Sequence, residues 1–204
     1  MNLAFTDEET ALLTDAAFFQ KKARVSEKIR AQLEATRQAL KEELSRSILP
    51  DLAGSDPASS QLVKGEHLES YPYQYLDCPK HFLGSEKRTF RTLVWWGHHV
   101  AWAWMLEGSL MREYKKRLVD QFHAVAGRQL ELSLAPTLWE WKQGEGFTLP
   151  ITHDRKAQIA AVLAERSILK IVRFVPLGDP IVRTGALAEL SRDAFRAMLP
   201  IVAL

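Results

Sequence analysis

From Thr89 to Leu106 the chain reads TFRTLVWWGHHVAWAWML, two apolar, strand-forming runs on either side of Gly97-His98-His99. A three-residue loop there pairs Trp96 with Val100, Val94 with Trp102, Thr92 with Trp104 and Phe90 with Leu106. The alternate face then pairs Trp95 with Ala101, Leu93 with Ala103 and Arg91 with Met105. Large residues beside small ones fill a layer. This antiparallel hairpin belongs to a buried or half-buried sheet, and it places a guanidinium, Arg91, in the middle of an apolar strand. All six Trp, all six His and all four Tyr lie between His67 and His153, so one dense aromatic centre is expected around the hairpin.

The elements around it follow from periodicity. Thr6-Asp7-Glu8-Glu9 is a capping box. A long helix is expected from about Lys22 to Ile48, with Val25, Ile29, Leu33, Leu40, Leu44 and Ile48 as its apolar stripe and Pro50 closing it. Residues 51–65 are small, polar and turn-rich and read as a surface loop. Tyr71-Pro72-Tyr73-Gln74-Tyr75-Leu76-Asp77 alternates with period two, which puts Tyr71, Tyr73, Tyr75 and Asp77 on one face of a strand. Pro72 confines that strand to an edge or a start. Ser109 is expected to cap a helix running to about Ala126, with Gly127 as its stop. Leu130, Leu132 and Leu134 mark another strand, and residues 137–151 read as a loose hairpin about Gly144-Glu145-Gly146. A helix over Asp154–Arg166, a strand over Ile168–Val175 and a final amphipathic helix near Leu190–Leu199 complete the order. The expected fold is α+β: N-terminal long helices packed on a mostly antiparallel or mixed sheet, with additional helices. With 204 residues, 47% of them apolar, we expect a single domain over 1–204, divided into a helical segment (1–50), a loop (51–65) and an α+β body (66–204).

Several function classes are disfavoured. A net charge of +2 gives no field for nucleic acid, and the two basic helical clusters, Lys21 to Arg30 and Arg112 to Arg117, are interleaved with Glu27 and Glu113. No apolar run approaches the roughly 20 residues of a membrane span, and the acidic start is unlike a signal peptide. One cysteine, Cys78, forms no intramolecular disulfide and suits a cytoplasmic location.

The blocks GEHLESYPYQYLD (65–77) and FRTLVWWGH (90–98), with LLTDAAFFQKKARVSEKI near the N-terminus, resemble a family of uncharacterised bacterial proteins. More distantly, FRTLVWWGHHVAWAWMLEG and the C-terminal AFRAMLPIVAL resemble the YktB-like family, also of unknown function and α+β in fold. The resemblance implies a bacterial protein of that fold class and brings no functional residue.

The constellation that carries most chemistry is a polar and aromatic group: Glu66, Tyr71, Tyr73, Tyr75, Asp77, Arg91, Trp95 and His98. A buried guanidinium needs a carboxylate partner (Asp77 first, Glu66 second), or else a cavity where its fork receives an anion beside the tyrosine hydroxyls. The reading preferred at this level is a pocket for a small anionic ligand. The alternative is an interaction or scaffold module without a pocket, using the tyrosine strand or the N-terminal helices, the latter as a homodimer. Cys78, His81, His98 and His99 have the right chemistry for zinc but a weak spacing signal. No metal, cofactor or catalytic residue is assigned.

Overall fold

A computed structural model describes residues 3–50, 56 and 59–203 of the chain. Its elements in order are α1 (Asp7–Thr14), α2 (Ala16–Ser45), β1 (Gln61–Leu68), β2 (Tyr71–Leu83), β3 (Glu86–Trp95), β4 (His99–Glu107), α3 (Met111–Asp120), α4 (Phe122–Val125), β5 (Glu131–Ser133), β6 (Thr148–Pro150), α5 (Lys156–Ala164), β7 (Ile168–Pro176), α6 (Pro180–Arg183) and α7 (Leu187–Val202). The strands form one sheet in the order β1-β2-β3-β4-β7-β5-β6, with every pairing antiparallel. The fold is α+β.

The central hairpin keeps the expected face for every residue but not the expected partners. Val94 pairs with Val100, Thr92 with Trp102, Phe90 with Trp104 and Arg91 with Ala103, a register two residues away from the one read from the sequence. The loop is Trp96-Gly97-His98 rather than Gly97-His98-His99. Gly97 takes φ 74°, a left-handed conformation natural to glycine, and His98 N–H closes the turn on Trp95 C=O at 3.1 Å. His99 therefore joins β4.

One sheet face carries Phe90, Val94, Trp102, Trp104 and Leu106 and packs under α2, α3 and α7 in the main core. Phe195 of α7 meets both Phe90 and Trp104, at ring separations of 5.3 and 5.7 Å. The Trp102 indole N–H donates to Ser191 Oγ at 2.7 Å, so this buried donor is satisfied by the helix that covers it. Glu43 of α2 accepts two bonds from Arg196 of α7, at 2.9 and 2.7 Å, which joins the two helices. That guanidinium holds the Glu43 carboxyl below its usual range. The other face carries Leu93, Trp95, Ala101, Ala103, Met105 and Val172. It is covered not by a helix but by the chain between β5 and β6, which buries Leu138 and Trp141 there. Ala101 and Ala103 leave the space those side chains occupy.

The α2 helix runs Ala16–Ser45, earlier at both ends than the stripe suggests. Leu33, Leu40 and Leu44 are buried, whereas Val25 and Ile48 are exposed because both ends of the stripe lie off the sheet. Part of the expected loop 51–65 is strand: β1 begins at Gln61, and only residues 56, 59 and 60 of the earlier part lie within the described residues. Gly65 is required there, since a Cβ would stand 2.3 Å from the Tyr73 ring that crosses it. Pro72 stands at a strand start, as its missing N–H demands. Ser109 does not cap α3. Leu110 holds the cap position, and Ser109 N–H instead donates to Glu86 at 2.8 Å. The helix breaks at Gln121 and resumes for one turn as α4 before Gly127, at φ 77°, ends it. The hairpin expected within 137–151 is instead formed by β5 and β6, and residues 134–147 cross the sheet as a strap.

Candidate functional site

Alternation along β2 aims Tyr73, Tyr75 and Asp77 at the strap side of the sheet, and β3 brings Arg91 directly opposite Asp77. The two side chains form a bidentate pair, Arg91 Nε to Asp77 Oδ1 at 2.7 Å and Nη2 to Oδ2 at 2.8 Å. Arg91 is 5% exposed and Asp77 fully buried, so each needs the other. The guanidinium carbon lies 3.7 Å from the Tyr75 ring centroid, with Trp139 and Trp141 of the strap at 5.5 and 5.8 Å. Tyr73 stacks on Tyr75 at 6.1 Å. Burial raises the Tyr75 hydroxyl pKa, and the nearby Arg91 charge opposes the rise. The carboxylate partner is the first one expected from the sequence, and the guanidinium fork is already occupied.

The same layer holds a second cation. Lys170, on β7, is 2% exposed. Its Nζ lies 3.5 Å from the Trp141 ring centroid and donates to the backbone carbonyls of Leu138, at 3.1 Å, and Glu140. Burial, then the Arg91 charge, push this amine down to about 7, against a smaller opposing effect of Glu140. Lys170, Trp139 and Trp141 were not singled out from the sequence. Lys170 does carry the signal that marked Arg91, a charge inside an apolar strand (Ile168-Leu169-Lys170-Ile171-Val172). The two tryptophans sit in a coil whose place over the sheet no local pattern announces.

The remaining candidate residues fall into two other groups. Trp95 donates its indole N–H to Leu68 C=O at 3.0 Å, His98 stacks on the Trp95 ring at 3.7 Å, and Tyr71 meets His98 edge-on at 4.7 Å. This group closes the β3–β4 turn. Glu66 lies apart on β1, where Lys22 of α2 at 2.7 Å and Lys64 at 3.8 Å hold its carboxyl below the usual range. Neither group touches the Arg91 fork.

Cys78 faces the helix side in the main core, away from Asp77. Burial pushes its thiol up to about 11, far from a reactive thiolate. Among the described residues no group of three or more His, Cys, Asp or Glu side chains is placed to hold a metal ion. No helix among them is long and apolar enough to cross a membrane. No family model, curated protein or solved structure matches the chain.

One other region stands out for its exposure. Every described residue from Leu3 to Lys21 is exposed, and α1 buries none of its side chains. The cap is well made, with Thr6 and Glu9 bonding reciprocally at 3.2 and 2.8 Å, so α1 is a formed helix with no buried side chain among the described residues. Phe5, Leu12 and Leu13 are 71, 56 and 57% exposed, and Phe18 and Phe19 meet edge-on at 5.2 Å in water. Buried positions of α2 begin only at Ser26.

Proposed function

We propose that this protein is an interaction module that pairs with a second copy of itself through its N-terminal helical arm. The observation that carries the reading is the set of exposed apolar side chains just before α1, on α1 and along the first turns of α2: Phe5, Leu12, Leu13, Phe18, Phe19 and Val25. A chain seldom leaves six large apolar side chains of one short segment in water unless a partner covers them. The charges favour a like partner. Asp7, Glu8, Glu9 and Asp15 make α1 and its end acidic, while Lys21, Arg24 and Lys28 follow on α2. In a two-fold pairing each acidic α1 faces the basic stretch of the partner, and the match is satisfied twice. A small-anion site at Tyr73, Tyr75 and Arg91 would require Asp77 to be displaced, so it is the weaker reading. A bacterial, cytoplasmic setting belongs to the same proposal, with Cys78 buried as a thiol.

Sedimentation across a concentration series tests it. The expected result is a concentration-dependent dimer that Phe18→Glu with Phe19→Glu converts to a monomer of unchanged melting temperature. A monomer at every concentration, or a dimer that survives both substitutions, overturns the proposal. So does an arm that binds anionic vesicles or RNA while the chain stays monomeric.

A further inference from the structure

Where α4 ends and α7 passes over the sheet, a cleft of about 560 Å³ opens, lined by Gly127, Arg128, Gln129, Arg173, Asp193 and Pro200 among others. Arg173 projects from β7 toward the helix side, one residue from the strap-side Val172 and opposite Trp102, and α7 supplies the facing wall of the cleft through Asp193, Arg196, Ala197 and Pro200. We propose that this cleft is a binding site for a small phosphomonoester, with Arg128 and Arg173 as its anion receptor. The proposal is independent of the arm and its pairing.

The argument rests on charges without counter-charges. Among the described residues no carboxylate stands within ion-pair distance of Arg173. Its Nη2 donates to the Gln129 side-chain oxygen at 2.8 Å, and its Nε is a buried donor without a partner. A buried N–H left unpaired costs free energy, so the Arg173 guanidinium is under-satisfied where it stands. Arg128 is exposed, and its guanidinium makes no ion pair among the described residues. The third arginine of the cleft, Arg196, is already committed to Glu43, so it closes one wall rather than receiving ligand.

Gln129 is held with φ 57°, a left-handed backbone unusual for a side chain of its size. Its amide oxygen accepts from Arg173, which leaves the amide NH₂ as a further donor. Two guanidiniums without a carboxylate partner among the described residues, together with an amide, make a fork suited to a tetrahedral dianion. Ala124, Ala197 and Pro200 supply an apolar wall for the body of the ligand. Asp193 stands on the same side and favours a ligand that carries a hydroxyl there over one with a second acid.

Calorimetric titration of the full chain tests this, with phenyl phosphate, inorganic phosphate and benzoate as probes. The expected result is saturable binding of phenyl phosphate, weaker binding of inorganic phosphate and no competition from benzoate. Arg173→Met and Arg128→Met should each weaken phenyl phosphate by about tenfold or more, the scale of one lost charge-assisted contact. Arg128 is on the surface, so Arg128→Met decides the matter even if Arg173→Met fails to fold. No saturable binding to the wild-type chain, or affinity unchanged in Arg128→Met, overturns the site. Benzoate binding as tightly as phenyl phosphate overturns the phosphate assignment.

Discussion

The Lys170 ammonium nitrogen lies 3.5 Å from the centroid of the Trp141 ring and reaches past it to the backbone of the strap. One side chain thus ties a coil to the sheet from inside, through two carbonyls and an indole face. The cost is burial of an amine next to Arg91, whose own carboxylate partner is Asp77.

That cost has a pH signature. The folded-state pKa of Lys170, about 7, lies below the ordinary lysine value, so between pH 7 and about 10.4 the unfolded chain binds the extra proton. Stability must therefore rise with pH across this window, by at most about 1.4 kcal/mol per pH unit from this group. Denaturant titrations of wild type and Lys170→Met should diverge there, with wild type gaining on the variant as pH increases. Parallel curves would show that the lysine is charged in the folded state.

The Asp77–Arg91 pair should behave as a buried ion pair. Arg91→Met or Asp77→Leu alone leaves one charge buried without its partner, at a cost of about 3–5 kcal/mol. The double variant Asp77→Leu/Arg91→Met removes both charges and should cost much less than the sum of the two single changes. Urea unfolding of the four proteins gives the coupling directly. Additive losses would mean that Arg91 stabilises chiefly by stacking on Tyr75.

How far this layer was legible depends on the distance over which each contact acts. Period-two alternation fixes which residues of one strand share a face, so Tyr73, Tyr75 and Asp77 read together from the sequence, as do Trp102 and Trp104, while Arg91 stands out as a charge inside an apolar strand. Register depends on which residue of the turn takes the left-handed conformation. Placing Gly97 second rather than first moves every cross-strand pair by two. The β1 strand escaped notice because an edge strand with Lys64 and Glu66 in it has little apolar alternation to read. The strap is less local still: Trp141 and Lys170 meet through a coil whose path is set by the space over Ala101 and Ala103. The Arg128–Gln129–Arg173 cleft joins a loop to a distant strand in the same way.

His99 provides a second titration on the acid side. Burial, and the neighbouring His98, push its imidazole down to about 4, and Phe174 packs edge-on at 4.6 Å. The folded state keeps the ring neutral while the unfolded chain protonates it near its ordinary value. Stability is therefore lost as pH falls from about 6.5 toward 4. His99→Phe should flatten that part of the wild-type curve in thermal melts. An unchanged slope would place the acid sensitivity on other groups.

The last prediction concerns the seam between sheet and helices. Trp102 is fully buried, and its indole N–H ends on Ser191 Oγ, which itself donates to Leu187 C=O at 2.6 Å within α7. Trp102→Ala removes a whole indole from the core under α7 and should cost about 3–5 kcal/mol. Ser191→Ala removes little volume but strands a buried indole donor, which should cost about 1–3 kcal/mol. Trp102→Phe keeps much of the apolar area and leaves the serine its internal bond to Leu187, so its loss should come mainly from the smaller ring. Guanidinium unfolding of the three variants should rank them with Trp102→Ala most destabilised. If Ser191→Ala matches wild type, the indole has found another acceptor, and the hydrogen bond is not what positions α7 on the sheet.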